Sequence, residues 1–175
     1  HHARASGLNP HMLLARPTEG DYAARGVLRR YAQARARTVA QADGRPVIFV
    51  PGAMAPLRQA WQPGEQVMVV IDVPPDQVKL TAPQPVLGRR AHLPVGLPRL
   101  AVQQGLPVTV FTLGFDKRTG RRDLRLYPLG VGDDEQALCA RIFGHFDQIV
   151  RERPACWHFW SVADRFFAER PEGLP

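Results

Sequence analysis

Cysteine and lysine are almost missing from this chain of 175 residues. Cys139 and Cys156 stand apart with no CxxC, which argues against a disulfide scaffold or zinc knuckle and fits a reducing compartment. Lys79 and Lys117 are the only lysines, and no GxxxxGK[ST] phosphate loop occurs. Ser6 and Ser161 are the only serines, and neither lies in GxSxG, which argues strongly against a serine-nucleophile hydrolase. Gly130-Val131-Gly132 falls short of GxGxxG. His1, His2, His11, His92, His145 and His158 include no HExxH pair, so a zincin site is excluded and no metal is expected. The longest apolar run, Val67 to Ile71, is far below the roughly 20 residues that span a bilayer. Neither a signal-peptide pattern nor a solenoid-length repeat is present.

What the chain has is arginine. Of 23 basic residues all but the two lysines are arginine, set against 16 acidic residues for a net charge of +7. Residues 1–60 hold 9 basic and 3 acidic groups, and residues 85–125 hold 8 and 2, while the stretches 61–84 and 126–175 are net acidic. The guanidinium fork matches phosphate and carboxylate, so anionic partners are expected. An anionic lipid surface, a phosphorylated co-substrate or an acidic carrier protein would each be drawn by this field. Nucleic acid is disfavoured, because no helix-turn-helix or aromatic strand motif accompanies the basic blocks.

Patterning predicts alternating strands and helices. Pro10 to Arg16 reads as a strand. Thr18 opens a helix to about Ala42, with Ala23, Val27, Tyr31, Ala34 and Thr38 on its apolar face, and Asp43-Gly44 ends it. Arg45 to Val50 is a second strand, and Met54, Leu57 and Trp61 mark a short helix. Gln66 to Ile71 is a third strand, expected to be buried on both faces. The proline-rich stretch 72–86 reads as a loop, and Pro94 as a helix start stopped by Gly105. Leu106 to Leu113 and Asp123 to Tyr127 form a hairpin, and Asp133-Asp134-Glu135 opens a long helix to Arg151. The expectation is one α/β domain, residues 1–175, with a mainly parallel mixed sheet flanked by helices and a hairpin at one edge.

Among single residues Asp72 is the most suggestive. A carboxylate at the C-terminal end of a buried strand lies where α/β sheets bind ligands, although a turn-capping role fits equally well. His158 and His145 read as packed histidines beside aromatic neighbours. Trp157, Phe159, Trp160, Phe166 and Phe167 read as core in preference to a lipid contact.

Four segments in order resemble the lysophospholipid acyltransferase superfamily, in its bacterial lipid A (lauroyl/myristoyl) branch. They are Val69-Val70-Ile71-Asp72-Val73-Pro74; Leu87-Gly88-Arg89-Arg90 running to Pro94-Val95-Gly96; Pro98-Arg99-Leu100-Ala101 leading through Gly105-Leu106-Pro107-Val108; and Ile149-Val150-Arg151-Glu152-Arg153-Pro154 followed by Trp157-His158-Phe159-Trp160. The resemblance runs from Pro46 to Phe167. It implies transfer of a fatty acyl group from acyl carrier protein or acyl-CoA to a hydroxyl or amine of a lipid-type acceptor. It also implies a peripheral position on the cytoplasmic side of the bacterial inner membrane. No bound cofactor is implied; the thioester of the carrier protein or of coenzyme A is a co-substrate. Asp72, Arg89, Arg90, Gly96 and Arg99 are the substrate-binding residues this reading selects, with the arginines holding phosphate or another anionic group.

The family's chemistry rests on H-x4-[DE], a histidine that takes the acceptor's proton and a carboxylate that orients it. Five residues beyond the six histidines stand Ser6, Gly7, Arg16, Leu97, Val150 and Ala163, none a carboxylate. The catalytic residues therefore stay unassigned, and the expectation is that the pair precedes His1. Residues 1–12 read either as native sequence following that motif or as a tag remnant. A non-catalytic acyl- or lipid-binding module of the same fold is the alternative.

Overall fold

The computed structural model describes residues 7–8, 10–16, 26–61 and 65–167. The chain divides into two compact units, His1–Val70 and Ile71–Pro175. It is a mixed α/β structure with parallel and antiparallel pairing.

In the first unit, strands β1 (His11–Ala15), β2 (Ile48–Val50) and β3 (Val67–Met68) form a parallel sheet in the order β2-β1-β3. Leu13 stands opposite Ile48 and His11 opposite Val67. Parallel neighbours need crossovers, which α1 (Gly26–Asp43) and the segment containing α2 (Met54–Ala60) supply. Leu57 and Ala60 give α2 its buried side, whereas Met54 is exposed.

Two expectations are corrected here. Val27 and Tyr31 were expected to face inward, yet they are 83% and 63% exposed, and no residue of α1 is buried. The less exposed positions include Ala32, Ala36, Val39 and Ala40, on another side of the helix, with Arg29, Ala42 and Asp43 also half-buried. Small alanines there compete with the bulkier Val/Tyr stripe, and a spacing count favours the bulkier set. Residues 18–25 of that expected helix lie outside the described residues. The run Gln66 to Ile71 is also not a strand buried on both faces: pairing covers only Val67–Met68, and Val70 is exposed. It is the edge strand of a three-stranded sheet, with β1 as its single neighbour.

The second unit is built from two antiparallel hairpins on one long helix. Strands β4 (Thr81–Val86) and β5 (Arg89–Pro94) pair from Thr81↔Pro94 to Val86↔Arg89. Leu87 (φ 53°) and Gly88 (φ 76°) make the two-residue turn, both left-handed as a primed turn requires. Residues 81–86 are thus a strand, not the continuation of a loop. Pro83 and Pro85 mislead the reading, because proline lacks the ladder donor. Two residues apart on a strand with one neighbour, both can turn their ring nitrogens to the open edge. Pro94 ends β5, and the helix α3 (Gly96–Gln103) starts two residues later. Gly105 (φ 61°) follows its end as expected.

Strands β6 (Pro107–Phe115) and β7 (Arg122–Val131) form the second hairpin, at the expected place in the chain but longer, and as a two-stranded sheet of its own instead of the edge of a larger one. A bulge sets Val108 opposite Gly130 and Thr109 opposite Pro128, leaving Leu129 unpaired and buried. Helix α4 (Glu135–Glu152) opens at Asp134, whose carboxylate accepts from the Ala137 N–H at 2.6 Å. Its buried residues Leu138, Cys139, Ile142, Phe143 and Val150 recur at helical spacing. They join Val86, Ala91, Leu93, Val95, Leu129, Trp157 and Phe166 in one core. Full burial of a side chain such as Phe143 or Leu93 contributes about 1.5–3 kcal/mol. The short helix α5 (Asp164–Phe167) closes the described chain. Among the described residues of this unit all strand pairing is antiparallel, so a mainly parallel sheet is not what forms; the parallel pairing described is that of β1, β2 and β3.

Candidate functional site

Asp72 does not end a strand. It lies four residues beyond β3, ahead of a 3-10 turn at Pro75–Gln77 that packs on β5 and α5. Trp157 and His158, which follow the 3-10 turn Pro154–Cys156, act on its carboxyl. Burial raises the Asp72 pKa; its own backbone N–H, the His158 ring and the Trp157 indole each pull the other way, and burial prevails. The Trp157 indole Nε1 is itself buried and lies towards that carboxyl without reaching full hydrogen-bond geometry. A desolvated carboxyl, an imidazole and an unsatisfied N–H donor therefore share one end of the unit. Such a set can accept a proton, hold one, and donate to an oxygen atom.

In the aromatic segment around it Trp157 and Phe166 are buried and Phe159 and Phe167 half-buried, as expected of core, but His158, expected to be packed, is exposed. The Trp157 ring meets Phe146, Trp160 and Phe166 edge-on at 5.8, 4.7 and 5.4 Å between centroids. His158 leans against Phe159 at 5.4 Å. Trp160 is the exposed member, and its Nε1 donates to the Pro154 carbonyl. Arg165 reaches from α5 to pair with Asp76.

The other selected residues take up three different environments. Arg89 is exposed and lays its guanidinium over the Phe167 ring, 4.4 Å from the centroid. Arg90, next along β5, points to the opposite face by strand alternation, so the two do not form one fork. Gly96 opens α3, and a Cβ there would meet only the Leu80 Cβ at 4.0 Å, an ordinary contact. Arg99 donates from Nε to Glu135 at 2.8 Å, tying α3 to the start of α4. The turn before Arg89 is fixed by Asp147, which accepts from the Leu87 N–H at 2.6 Å and from Arg151 Nε at 2.8 Å. Burial works to raise the Asp147 pKa, yet these two bonds hold its carboxyl below the ordinary value. The structure therefore brings Asp72 together with Trp157 and His158, which the sequence reading did not group with it, and leaves Arg89, Arg90 and Arg99 dispersed.

No protein-family model matches this chain, and no curated protein matches it significantly. Its site has to be judged on its own chemistry.

Three arrangements escape a reading of spacing. In the first unit, Glu65 is bracketed by Arg45 and by His11 Nε2 at 3.5 Å, while His11 Nδ1 lies 3.2 Å from the Pro46 carbonyl. This cluster holds together the chain entering all three parallel strands. His11 and Glu65 are too far apart in sequence for H-x4-[DE] to find them. In the second unit, a cleft of 520 Å³ opens between β7 and α4 around Tyr127, Arg141 and His145. The Tyr127 and His145 rings stack at 4.4 Å, and Arg141 donates to the Leu129 carbonyl at 2.9 Å. Beneath β6, Arg153 grips both oxygens of Asp123 at 2.8 and 2.9 Å. A Cβ on Gly114 would overlap both partners of that pair, which explains why glycine stands there. Among the described residues no three His, Cys, Asp or Glu side chains gather as a metal site would need, and no helix is long and apolar enough to cross a membrane.

Proposed function

We propose that this chain belongs to a fatty acyltransferase, moving an acyl group from acyl carrier protein or acyl-CoA to a hydroxyl or amine of a lipid-type acceptor. The observation that carries the reading is the meeting of Asp72 with Trp157 and His158. These residues belong to the first and last of the four segments that resemble the lipid A branch of the lysophospholipid acyltransferases. The second segment is anchored nearby in structure to the same unit, through Leu87 on Asp147 and Arg89 on Phe167. In this reading the protein is peripheral on the cytoplasmic side of the bacterial inner membrane, and the fold is acyltransferase-like.

The role of the present residues follows from their chemistry. Asp72, whose carboxyl burial makes a weaker acid than usual, orients a hydrogen-bonding group of donor or acceptor. The unsatisfied Trp157 N–H donates to an acyl or phosphate oxygen. Arg89 and Arg90 attract the anionic donor from the two faces of β5. The alternative reading, a non-catalytic acyl- or lipid-binding module, shares the binding residues and lacks the transfer step.

Charge reversal separates donor binding from fold. Arg89→Glu with Arg90→Glu is expected to weaken binding of acyl carrier protein about tenfold or more, as loss of charge complementarity does. Titration calorimetry measures it, with circular dichroism as the check on folding. Unchanged binding by a folded double variant removes these arginines from the site.

A further inference from the structure

The β6–β7 hairpin leaves one face uncovered. Register sets Leu113 opposite Leu124, Phe111 opposite Leu126 and Phe115 opposite Arg122, so these side chains share a face. The other face carries Val108 and Val110 against the core and Tyr127 against His145. On the uncovered face Leu113, Phe115, Leu124 and Leu126 are 50–58% exposed. A contiguous band of this kind marks an interaction surface.

The turn joining the strands supplies the second observation. It carries Lys117, Arg118 and Arg121, and Arg122 begins β7 beside Phe115. None of these four cations forms an ion pair among the described residues. The local carboxylate, Asp116, is engaged within the turn, accepting from the Arg118 N–H at 2.8 Å and the Thr119 hydroxyl at 2.7 Å. On the inner face, by contrast, Arg125 and Arg153 are matched by Asp123 and Glu152.

We propose that this hairpin is a docking element for an anionic phospholipid surface. The exposed face lies flat on the bilayer: Leu113, Phe115, Leu124 and Leu126 enter the headgroup–acyl boundary, and the four cations reach phosphates at its rim. Apolar band and unpaired cations are adjacent, which is the order an anionic interface presents. An acidic protein would satisfy the cations without needing four large apolar side chains uncovered. A second copy would cover the band but bring positive charge towards positive charge. The proposal stands on the hairpin alone and does not require the acyl-transfer reading.

Co-sedimentation of the full chain with vesicles tests it. Binding is expected to phosphatidylcholine vesicles containing phosphatidylglycerol, to weaken as salt is raised, and to be slight with phosphatidylcholine alone. Arg118→Glu with Arg121→Glu, and separately Leu113→Ser with Leu124→Ser, are each expected to lower partition about tenfold or more. Should either pair fail to fold, Phe115→Cys in a Cys156→Ser background, labelled with an environment-sensitive dye, gives the second readout; a blue shift on phosphatidylglycerol vesicles is expected. Absence of binding to phosphatidylglycerol vesicles, binding indifferent to both pairs, or an unshifted dye overturns the proposal. So does a Leu113/Leu124 variant that changes only the oligomeric mass in sedimentation velocity, which would assign the face to a second copy.

Discussion

Asp72 pays for its position beside Trp157 with a carboxyl that burial holds above its ordinary pKa of 3.8. A folded-state value raised in this way contributes stability below the unfolded pKa, and that contribution is lost as pH rises through the folded value. At neutral pH the ionised group is therefore a net cost. Asp72→Asn is expected to raise the thermal midpoint at pH 7, with a smaller gain near pH 4, measured by scanning fluorimetry. An equal loss of stability at both pH values would mean that Asp72 is held by hydrogen bonds that favour its charge. The sequence singled out this residue for a reason that does not hold, since no strand ends at it. What marks it is the influence of Trp157 and His158, 85 and 86 positions away, which spacing does not report. The same applies to Glu65 between Arg45 and His11, and to Asp147 under Leu87. Cys139 is the reverse case: burial, with Glu135 next, pushes its thiol up to about 11, in line with a packed cysteine and not a nucleophile.

Among the elements, legibility tracks how far local signals agree. Helix α4 has its Asp134 cap, acidic first turn and apolar spacing all pointing one way, and the chain follows. The β6–β7 hairpin is equally plain, because β6 is rich in valine and threonine, β7 alternates leucine with charge from Asp123 to Leu126, and the turn is polar. Strand β4 is concealed by two prolines that its edge position tolerates. Helix α1 offers two competing stripes, and the weaker-looking alanine side is the less exposed one. With no buried residue, α1 draws little stabilisation from packing, which is the main source of helix stability in proteins. Its amides are expected to exchange with deuterium at least about tenfold faster than those of Leu138 to Val150, read by hydrogen-exchange mass spectrometry. Equal protection of the two helices would show that α1 is held by contacts other than those described.

For the whole molecule, the net charge and the mixed α/β character are legible in the sequence, whereas the sheet arrangement is not. The +7 net charge is spread over two arginine-rich blocks, and the second block divides again in three dimensions: Arg89 on an aromatic ring, Arg99 in an ion pair, and Lys117 to Arg122 at the tip of an exposed hairpin. A count of charge cannot foresee that division, because it depends on which side chains find carboxylates. The central proposal concerns the reaction, and transfer itself is its most direct test. The gene product, with whatever sequence precedes His1, is incubated with carrier protein bearing an isotopically labelled acyl chain and with lipid acceptors, and the products are read by mass spectrometry. The proposal predicts label on an acceptor hydroxyl or amine together with free carrier thiol, at a rate reduced by Arg89→Glu with Arg90→Glu. Donor binding with no labelled acceptor would contradict it in favour of a non-catalytic module, and the absence of both binding and transfer would contradict either reading.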